Sequence, residues 1–539
     1  MPPVRAGKGP NPKPAMNGDE KSDPAIVAVK PANEPRRRGE ERVEPRAGAE
    51  GNARDQHGGR TQDREPSLSG IDRVRKAARE RKTEKFITLL HHIDAALLHQ
   101  AYHWLKRDAA PGVDGMTWDA YGEGLDARLR DLETRIHRGS YRAQPSLRAW
   151  IPKPDGRQRP LGIASLEDKI VQRAMVEVLN AIYEADFVGF SYGFRPGRGQ
   201  HDALDALATG IGNRAVNWIL DADIKGFFDN ISHDWMMRFM EHRIGDRRVL
   251  RLIRKWLKAG VVEDGVRQPV TRGTPQGAVI SPLLANIYLH YVYDLWAVQW
   301  RKRHAHGAMI VVRYADDTVV GFEHRSDAER FLAELRLRMA EFDLELHPDK
   351  TRLIEFGRHA ASDRAARRTD AATSGQRARA DRGDGKPETF DFLGFTHICS
   401  RSRKGRFQLA RHTRRDRKQA KLLELTEDLR HRWHQDVAEQ GRWLGSVVRG
   451  FFAYHAVPTN SRALSAFRHH VIELWRRALR RRSQKDRTSW TDMDRLADRF
   501  LPKPRISHPW PSVRFGVKHP RWEPYAGIPP VRFCAGGAQ

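Results

Sequence analysis

The sequence predicts an α+β fold in which short acid-tipped strands sit among amphipathic helices, followed by a helical and basic C-terminal part. Three observations predict it. Met309-Ile310-Val311-Val312-Arg313-Tyr314 and Thr318-Val319-Val320-Gly321-Phe322 are β-branched runs on either side of Ala315-Asp316-Asp317, a pattern that reads as a tight hairpin with both carboxylates at its turn. Trp218-Ile219-Leu220-Asp221-Ala222-Asp223 is another short strand, apolar at its start and acidic at its end. Helical spacing dominates elsewhere, as in Ile170, Val171, Ala174, Val176, Leu179 and Ile182, which follow a Ser165 cap with Asp168 three residues on.

Composition narrows the partners. The 539 residues allow two to four domains. Lys and Arg number 96 against 68 Asp and Glu, leaving a formal charge of +28, so a polyanion, nucleic acid foremost, is the expected partner. No apolar run approaches the roughly 20 residues that span a bilayer, so no membrane role is expected. The two cysteines, Cys399 and Cys534, support neither a disulfide framework nor a Cys-rich zinc site and fit a reducing cytoplasm. Residues 1–70 contain no Phe, Trp or Tyr and read as a disordered tail, without the apolar core of a secretory signal.

Taken in order, Phe86, Leu89, Leu90, Ile93, Leu97 and Leu98 recur at helix spacing and predict core packing. Ala110-Pro111-Gly112-Val113-Asp114-Gly115 is a turn cluster. Pro154-Asp155-Gly156 separates two short strands, so Lys153 and Arg159 project from a basic hairpin; it either faces solvent or grips phosphate, for which Lys supplies a point charge and Arg a fork. The loop 191–199 interleaves aromatics, glycines, Arg195 and Arg198, suiting either base stacking or a packed surface. Ser232 reads as the cap of a helix from His233. Gly273-Thr274-Pro275-Gln276-Gly277 leads into an apolar helix from about Ser281 to Leu295, whose free N–H groups suit a phosphate or sugar. A helix over Phe331–Met339 follows the acidic hairpin, and His347-Pro348-Asp349-Lys350 leads into the strand Arg352–Phe356. Residues 358–388, again without aromatics, read as a mobile insertion, and Phe390–Phe395 as a strand. In 464–482, Leu464, Phe467, Val471, Trp475 and Leu479 line one helix face, with Arg468, Arg476 and Arg480 elsewhere around it.

The chemistry lies in the acids. Adjacent carboxylates at strand ends repel and lose hydration, and a divalent cation relieves both effects. With the strand that begins at Trp218 beside the hairpin, Asp223 meets Asp316 and Asp317 and can hold two Mg²⁺, the arrangement for in-line phosphoryl transfer. Ordinary solvated turn residues are the alternative.

Tyr314-Ala315-Asp316-Asp317 and Asp223-Ile224-Lys225-Gly226-Phe227-Phe228, with the ordered segments around them, resemble the catalytic palm of reverse transcriptases, and more narrowly of bacterial group II intron reverse transcriptase/maturases, from about Arg73 to the C-terminus. The resemblance implies a right-hand polymerase fold: fingers and palm over 71–400, a helical thumb or maturase domain over 401–485, and a basic nucleic-acid-binding appendage over 486–539. It implies copying of RNA into DNA with two Mg²⁺, or Mn²⁺ in their place, at Asp223, Asp316 and Asp317, with Ile224 counted among the metal positions. Lys153 and Arg159 would hold the incoming dNTP, Phe228 would exclude a 2′-hydroxyl, Gln276 and Tyr314 would face the nucleotide, and Lys350 would protonate the leaving pyrophosphate. Arg195 and Arg198 would contact template; Arg449, in Arg449-Gly450-Phe451-Phe452, with Arg476 and Arg480, would grip intron RNA and the primer–template duplex. Implied partners are intron RNA, a DNA primer, target DNA and dNTPs. Two alternatives stay open: a splicing-only maturase, and a reverse transcriptase working outside an intron in defence or diversity generation. The paired cysteines of the family's nuclease domain are absent, so strand cleavage by the protein is not expected.

Overall fold

The N-terminal part is helical but not along one axis. In the computed structural model, which describes residues 66–152, 158–360, 388–482 and 488–518, α1 (Pro66–Glu80) is followed by a break. Helical spacing over Phe86–Leu98 does not make one helix: Phe86 bridges Ile244, Leu90–His92 form a single 3-10 turn, and α2 (Ala95–Trp104) starts only where Asp94 accepts the Leu97 N–H at 2.8 Å. The cause is remote. One oxygen of Asp246 accepts the N–H groups of Leu89 (2.9 Å) and Leu90 (3.0 Å), so these donors are satisfied from outside any helix while their side chains still enter the core. Then come α3 (Trp118–Gly122), α4 (Leu125–Arg138), the hairpin β1 (Ser146–Pro152) and β2 (Gln158–Ile163), the largely buried α5 (Leu166–Asp186) and α6 (Gln200–Asn213). Ser165 caps α5 as expected, its Oγ accepting the Asp168 N–H at 3.3 Å. The expected tail, Lys153 and residues 361–387 of the expected insertion lie outside the described residues, apart from the tail's last positions in α1.

The middle of the chain supplies β3 (Trp218–Ala222), α7 (Phe227–Asn230), α8 (His233–Glu241), α9 (Arg247–Leu257), β4 (Val261–Glu263), β5 (Val266–Gln268) and α10 (Ser281–Leu289). Ser232 precedes α8, though its side chain makes no capping bond. The apolar helix from Ser281 does not stop at Leu295: one π-helical turn, His290–Asp294, carries it into α11 (Leu295–Arg303). The acidic hairpin is β6 (Met309–Tyr314) and β7 (Asp317–Phe322); α12 (Arg325–Glu341) and β8 (Arg352–Glu355) follow. β6, β7, β3 and β8 form one antiparallel sheet in that order, and β2, β1, β4 and β5 form a second, mixed sheet in which β1 and β4 run parallel.

A third sheet, β9 (Phe390–Phe392), β10 (Phe395–Arg401) and β11 (Phe407–Thr413), turns at Leu393 and Gly394, both with positive φ. The helical region expected from 401 therefore starts later, because 401 lies within a hairpin; α13 (Arg415–His431), α14 (Val437–His455) and α15 (Ser461–Arg480) come after it. The face of α15 predicted to be apolar is buried throughout: Leu464, Phe467, Val471, Trp475 and Leu479. The region after 486 is not a free appendage where it is described. α16 (Trp490–Phe500) docks on the helical unit, with Arg468 and Asp498 paired at 3.0 Å. α17 (Pro511–Lys518) returns to α6, where Arg514 pairs with Asp205 and Phe515 is buried.

Buried neutral histidines make this fold acid-sensitive. Burial holds His397 and His455 down to about 3 and His290 to about 4. Above pH 6.5 folded and unfolded forms are both neutral there; below it only the unfolded chain takes up the proton, so stability falls by about 1.4 kcal/mol per pH unit per histidine until the folded pKa is reached. Urea unfolding at pH 7 and pH 5 should show this loss, and His397→Phe, at a ring already stacked on Phe390, should flatten the slope by one histidine's share.

Candidate active site

Register builds the site. Ala222 on β3 faces Thr318 on β7, so the pairing extended by one residue sets Asp223 opposite Asp317. β6 and β7 pair through Tyr314 and Asp317, leaving Ala315-Asp316 as a two-residue turn. All three expected carboxylates thus stand at one end of one sheet. Such turns need positive φ at a central position, and Ala315 supplies it at 57° without being glycine. Gly193 passes so close that a Cβ there would sit 2.3 Å from the Ala315 nitrogen, so no other residue fits that position.

The electrostatics are those of crowded acids. Burial raises the Asp316 carboxyl and Asp223 raises it further, while Arg159 and Lys350 oppose both effects. Asp317 is open to water yet crowded by protein; that desolvation, then Asp316, Asp223 and Asp221, push it up to about 8. Asp221 lies on the same strand face and is pushed up to about 7, first by burial, with Arg352 opposing from 3.8 Å. Lys350 comes closer still, its Nζ donating to Asp223 at 2.9 Å. Among the described residues no three Asp, Glu, His or Cys side chains close into a metal cage. The donor set still fits Mg²⁺, which keeps waters and takes part of its shell from substrate phosphates, and a divalent ion would lower all three raised carboxyls. Ile224 can contribute only its carbonyl. In its bridge to Leu346, the flanking Asp223 carbonyl accepts from His347 (2.8 Å) and Lys225 donates to Glu345 (2.9 Å), so the Ile224 carbonyl is not used by that pairing.

A chain of backbone contacts connects this sheet end to the basic hairpin. The Phe228 carbonyl accepts the Thr274 N–H at 2.8 Å, and the Gln276 carbonyl accepts the Gly162 N–H at 2.7 Å. Gly162 belongs to β2, the strand of Arg159, so Phe228, Gln276 and Arg159 are joined in one wall beside the carboxylates. Phe227 and Phe228 are both buried, with ring centroids 5.4 Å apart. Tyr314 is half-buried beside Phe194, and burial raises its hydroxyl.

The arginines divide sharply. Arg195 is turned inward, contrary to expectation: its side chain is 3% exposed, and its guanidinium forks onto Glu184 at 2.9 Å and donates to the carbonyls of Val188 and Ser191. Arg198 likewise donates to the carbonyls of Gly189 and Ser191 and lies over Tyr192, so this pair shapes its own loop. Arg476 ties α15 to the start of α16, donating to the Thr488 carbonyl at 3.2 Å and lying 4.6 Å over Trp490. A buried or intramolecular partner removes the need for a phosphate. Arg449 and Arg480 are exposed. Arg313, within β6, is a further group at the site that motif reading passes over. Its signal is present in the sequence, since a charge in the middle of a β-branched strand must find a partner inside.

An acid-tipped sheet end with flanking cations is an arrangement that suits phosphate chemistry, and comparison with known proteins names the class. Residues 151–397 match the family described as reverse transcriptase (RNA-dependent DNA polymerase). The chain is 34% identical to protein YkfC of Escherichia coli over 275 residues, 45% of this chain and 72% of that one. It is 34% identical to the group II intron-encoded protein LtrA of Lactococcus lactis over 240 residues, 44% of this chain but 40% of LtrA, and 40% identical over 188 residues to a 91 kDa protein in the cob intron of Schizosaccharomyces pombe, 35% of this chain and 22% of that one. The chain belongs to the reverse transcriptase family, and its relatives include proteins encoded in group II introns. Among the described residues no helix is long and apolar enough to cross a membrane.

Proposed function

We propose that this chain copies RNA into DNA as the polymerase of a group II intron and binds its host intron RNA to assist splicing and mobility. The observation that carries the reading is the register that sets Asp223 across from the Asp316-Asp317 turn, with Lys350 and Arg159 acting on the same carboxylates. In this reading the sheets up to β11 are fingers and palm, and α13–α16 are the thumb.

Asp223, Asp316, Asp317 and the Ile224 carbonyl would hold Mg²⁺. When bound, the ions supply Lewis-acid activation of the primer 3′-hydroxyl and neutralise charge on the transferred phosphate. Arg159 orients the triphosphate, its planar fork matching two phosphate oxygens. Phe228 lies under the sugar and leaves no space for a 2′-hydroxyl. Lys350 moves from Asp223 to the leaving pyrophosphate as a proton donor. Purified full-length protein given an RNA template, a DNA primer, dNTPs and Mg²⁺ should extend the primer; folded, RNA-binding protein that does not extend it would overturn the polymerase reading.

Electrostatics supply much of the RNA affinity under a net charge of +28. Arg449→Ala/Arg480→Ala should weaken RNA binding several-fold at any sequence and lower the salt slope by about 2, one for each phosphate no longer neutralised. Filter-binding titrations at several salt concentrations would read both.

A further inference from the structure

Arg313 sits three residues before Asp316, yet it points away from the carboxylates and into the protein. Its side chain is 1% exposed and that of its partner Asp294 is 0%. All five guanidinium N–H donors are used. Nε and Nη2 fork onto Asp294 at 2.7 and 2.5 Å; Nη2 also donates to Ser191 Oγ (2.7 Å); Nη1 donates to Asn286 Oδ1 (3.0 Å) and to the Ala315 carbonyl (2.9 Å). Neutralising a buried cation needs only the Asp294 fork. The remaining bonds hold the catalytic turn: one reaches Ala315 directly, and Asn286 extends the network by donating to the Gly193 carbonyl at 2.7 Å. Gly193 is the residue pressed against the Ala315 nitrogen, so a single buried cation holds the turn and the loop that covers it.

The turn needs holding. Ala315 has φ 57°, a left-handed conformation that an alanine keeps only where its surroundings over-determine it. Asp294 closes the π-helical turn His290–Asp294, so the acid that orients Arg313 comes from an irregular turn inside an otherwise continuous helix.

We propose that Arg313, held by Asp294 and Asn286, is a positioning residue for the carboxylate site: its bond to the Ala315 carbonyl locks the left-handed turn and thereby sets where Asp316 and Asp317 present their oxygens relative to Asp223. This rests on reading the site as the metal and nucleotide centre. Arg313 itself touches neither metal nor substrate.

Two full-length variants test it. Arg313→Lys keeps the charge, but three donors on one nitrogen cannot fork onto Asp294 and still reach Ala315. Arg313→Met/Asp294→Leu replaces the buried ion pair with apolar side chains, a change that commonly leaves stability unchanged or higher. Mn²⁺ binding without substrate is followed by electron paramagnetic resonance, beside kcat and KM for dNTP, RNA affinity and Tm. Both variants should bind Mn²⁺ about tenfold more weakly and lose roughly 10–100-fold in kcat, as when groups behind metal ligands are removed. KM for dNTP and RNA affinity should stay near the parent's, and the double variant should still unfold cooperatively, at a Tm lowered only by the Asn286 and Ala315 acceptors it leaves unpaired. A folded variant with parental Mn²⁺ affinity and kcat overturns the proposal, as does an effect confined to Tm. A parent that binds Mn²⁺ but extends no primer defeats the polymerase reading alone, and the Mn²⁺ titration then decides the positioning role; a parent that binds no Mn²⁺ overturns both.

Discussion

Replacing Asp316 and Asp317 together with alanine is expected to reduce RNA-templated dNTP incorporation by about a thousandfold or more, since metal contacts supply several kcal/mol of transition-state stabilisation and each 1.36 kcal/mol is tenfold in rate. RNA binding should persist, because the exposed cations lie elsewhere. The same change should not weaken the metal-free fold. Asp317 is pushed up to about 8, chiefly by desolvation with like charges adding to it, so its ionised form opposes folding. The sign follows: a carboxyl whose folded pKa lies above its unfolded value favours folding at low pH and disfavours it as pH rises. The double variant should therefore gain on the parent in Tm between about pH 4 and pH 8 in metal-free buffer. Mg²⁺ should raise the parent's Tm and leave the variant's unchanged. Retained incorporation in the double variant would place the chemistry at another site.

Phe228→Ala should relax sugar selection, with ribonucleotide incorporation rising by roughly 10–100-fold relative to dNTPs, the scale on which a pocket rejects an extra group by bulk. Phe228 is also a core residue, so its truncation should destabilise the fold by about 3 kcal/mol or more. Phe227→Ala separates the two effects. Phe227 is at least as buried and packs edge-on against Phe228, so it should match the stability loss without altering the ratio of ribonucleotide to dNTP incorporation. Equal selectivity in both variants would reduce Phe228 to packing.

The two arginine populations show what kind of information each level holds. Arg195 and Arg449 occupy similar local contexts, a glycine and aromatics close by, yet one is locked onto Glu184 and the other faces solvent. Nothing within several residues of either distinguishes them, because an arginine's partner is set by which elements pack beside it. Leu89 and Leu90 behave likewise: helical spacing was present, and Asp246, more than 150 residues away, took their N–H groups.

What the sequence determined by itself was local and periodic. The β-branched runs around Ala315-Asp316-Asp317 specified a hairpin because period-2 patterning and turn chemistry act over a few residues; the apolar face of 464–482 specified a helix and its buried side for the same reason. The ordered motifs were also enough to point to the family. Only the tertiary structure decided that register puts Asp223 opposite Asp317, that Lys350 rests on Asp223, and that the segment after 486 docks back on the fold. It alone showed the five-bonded Arg313 beneath the turn. These depend on hydrogen-bond partners far apart in the chain, and a buried charge is assigned its role by the groups that enclose it.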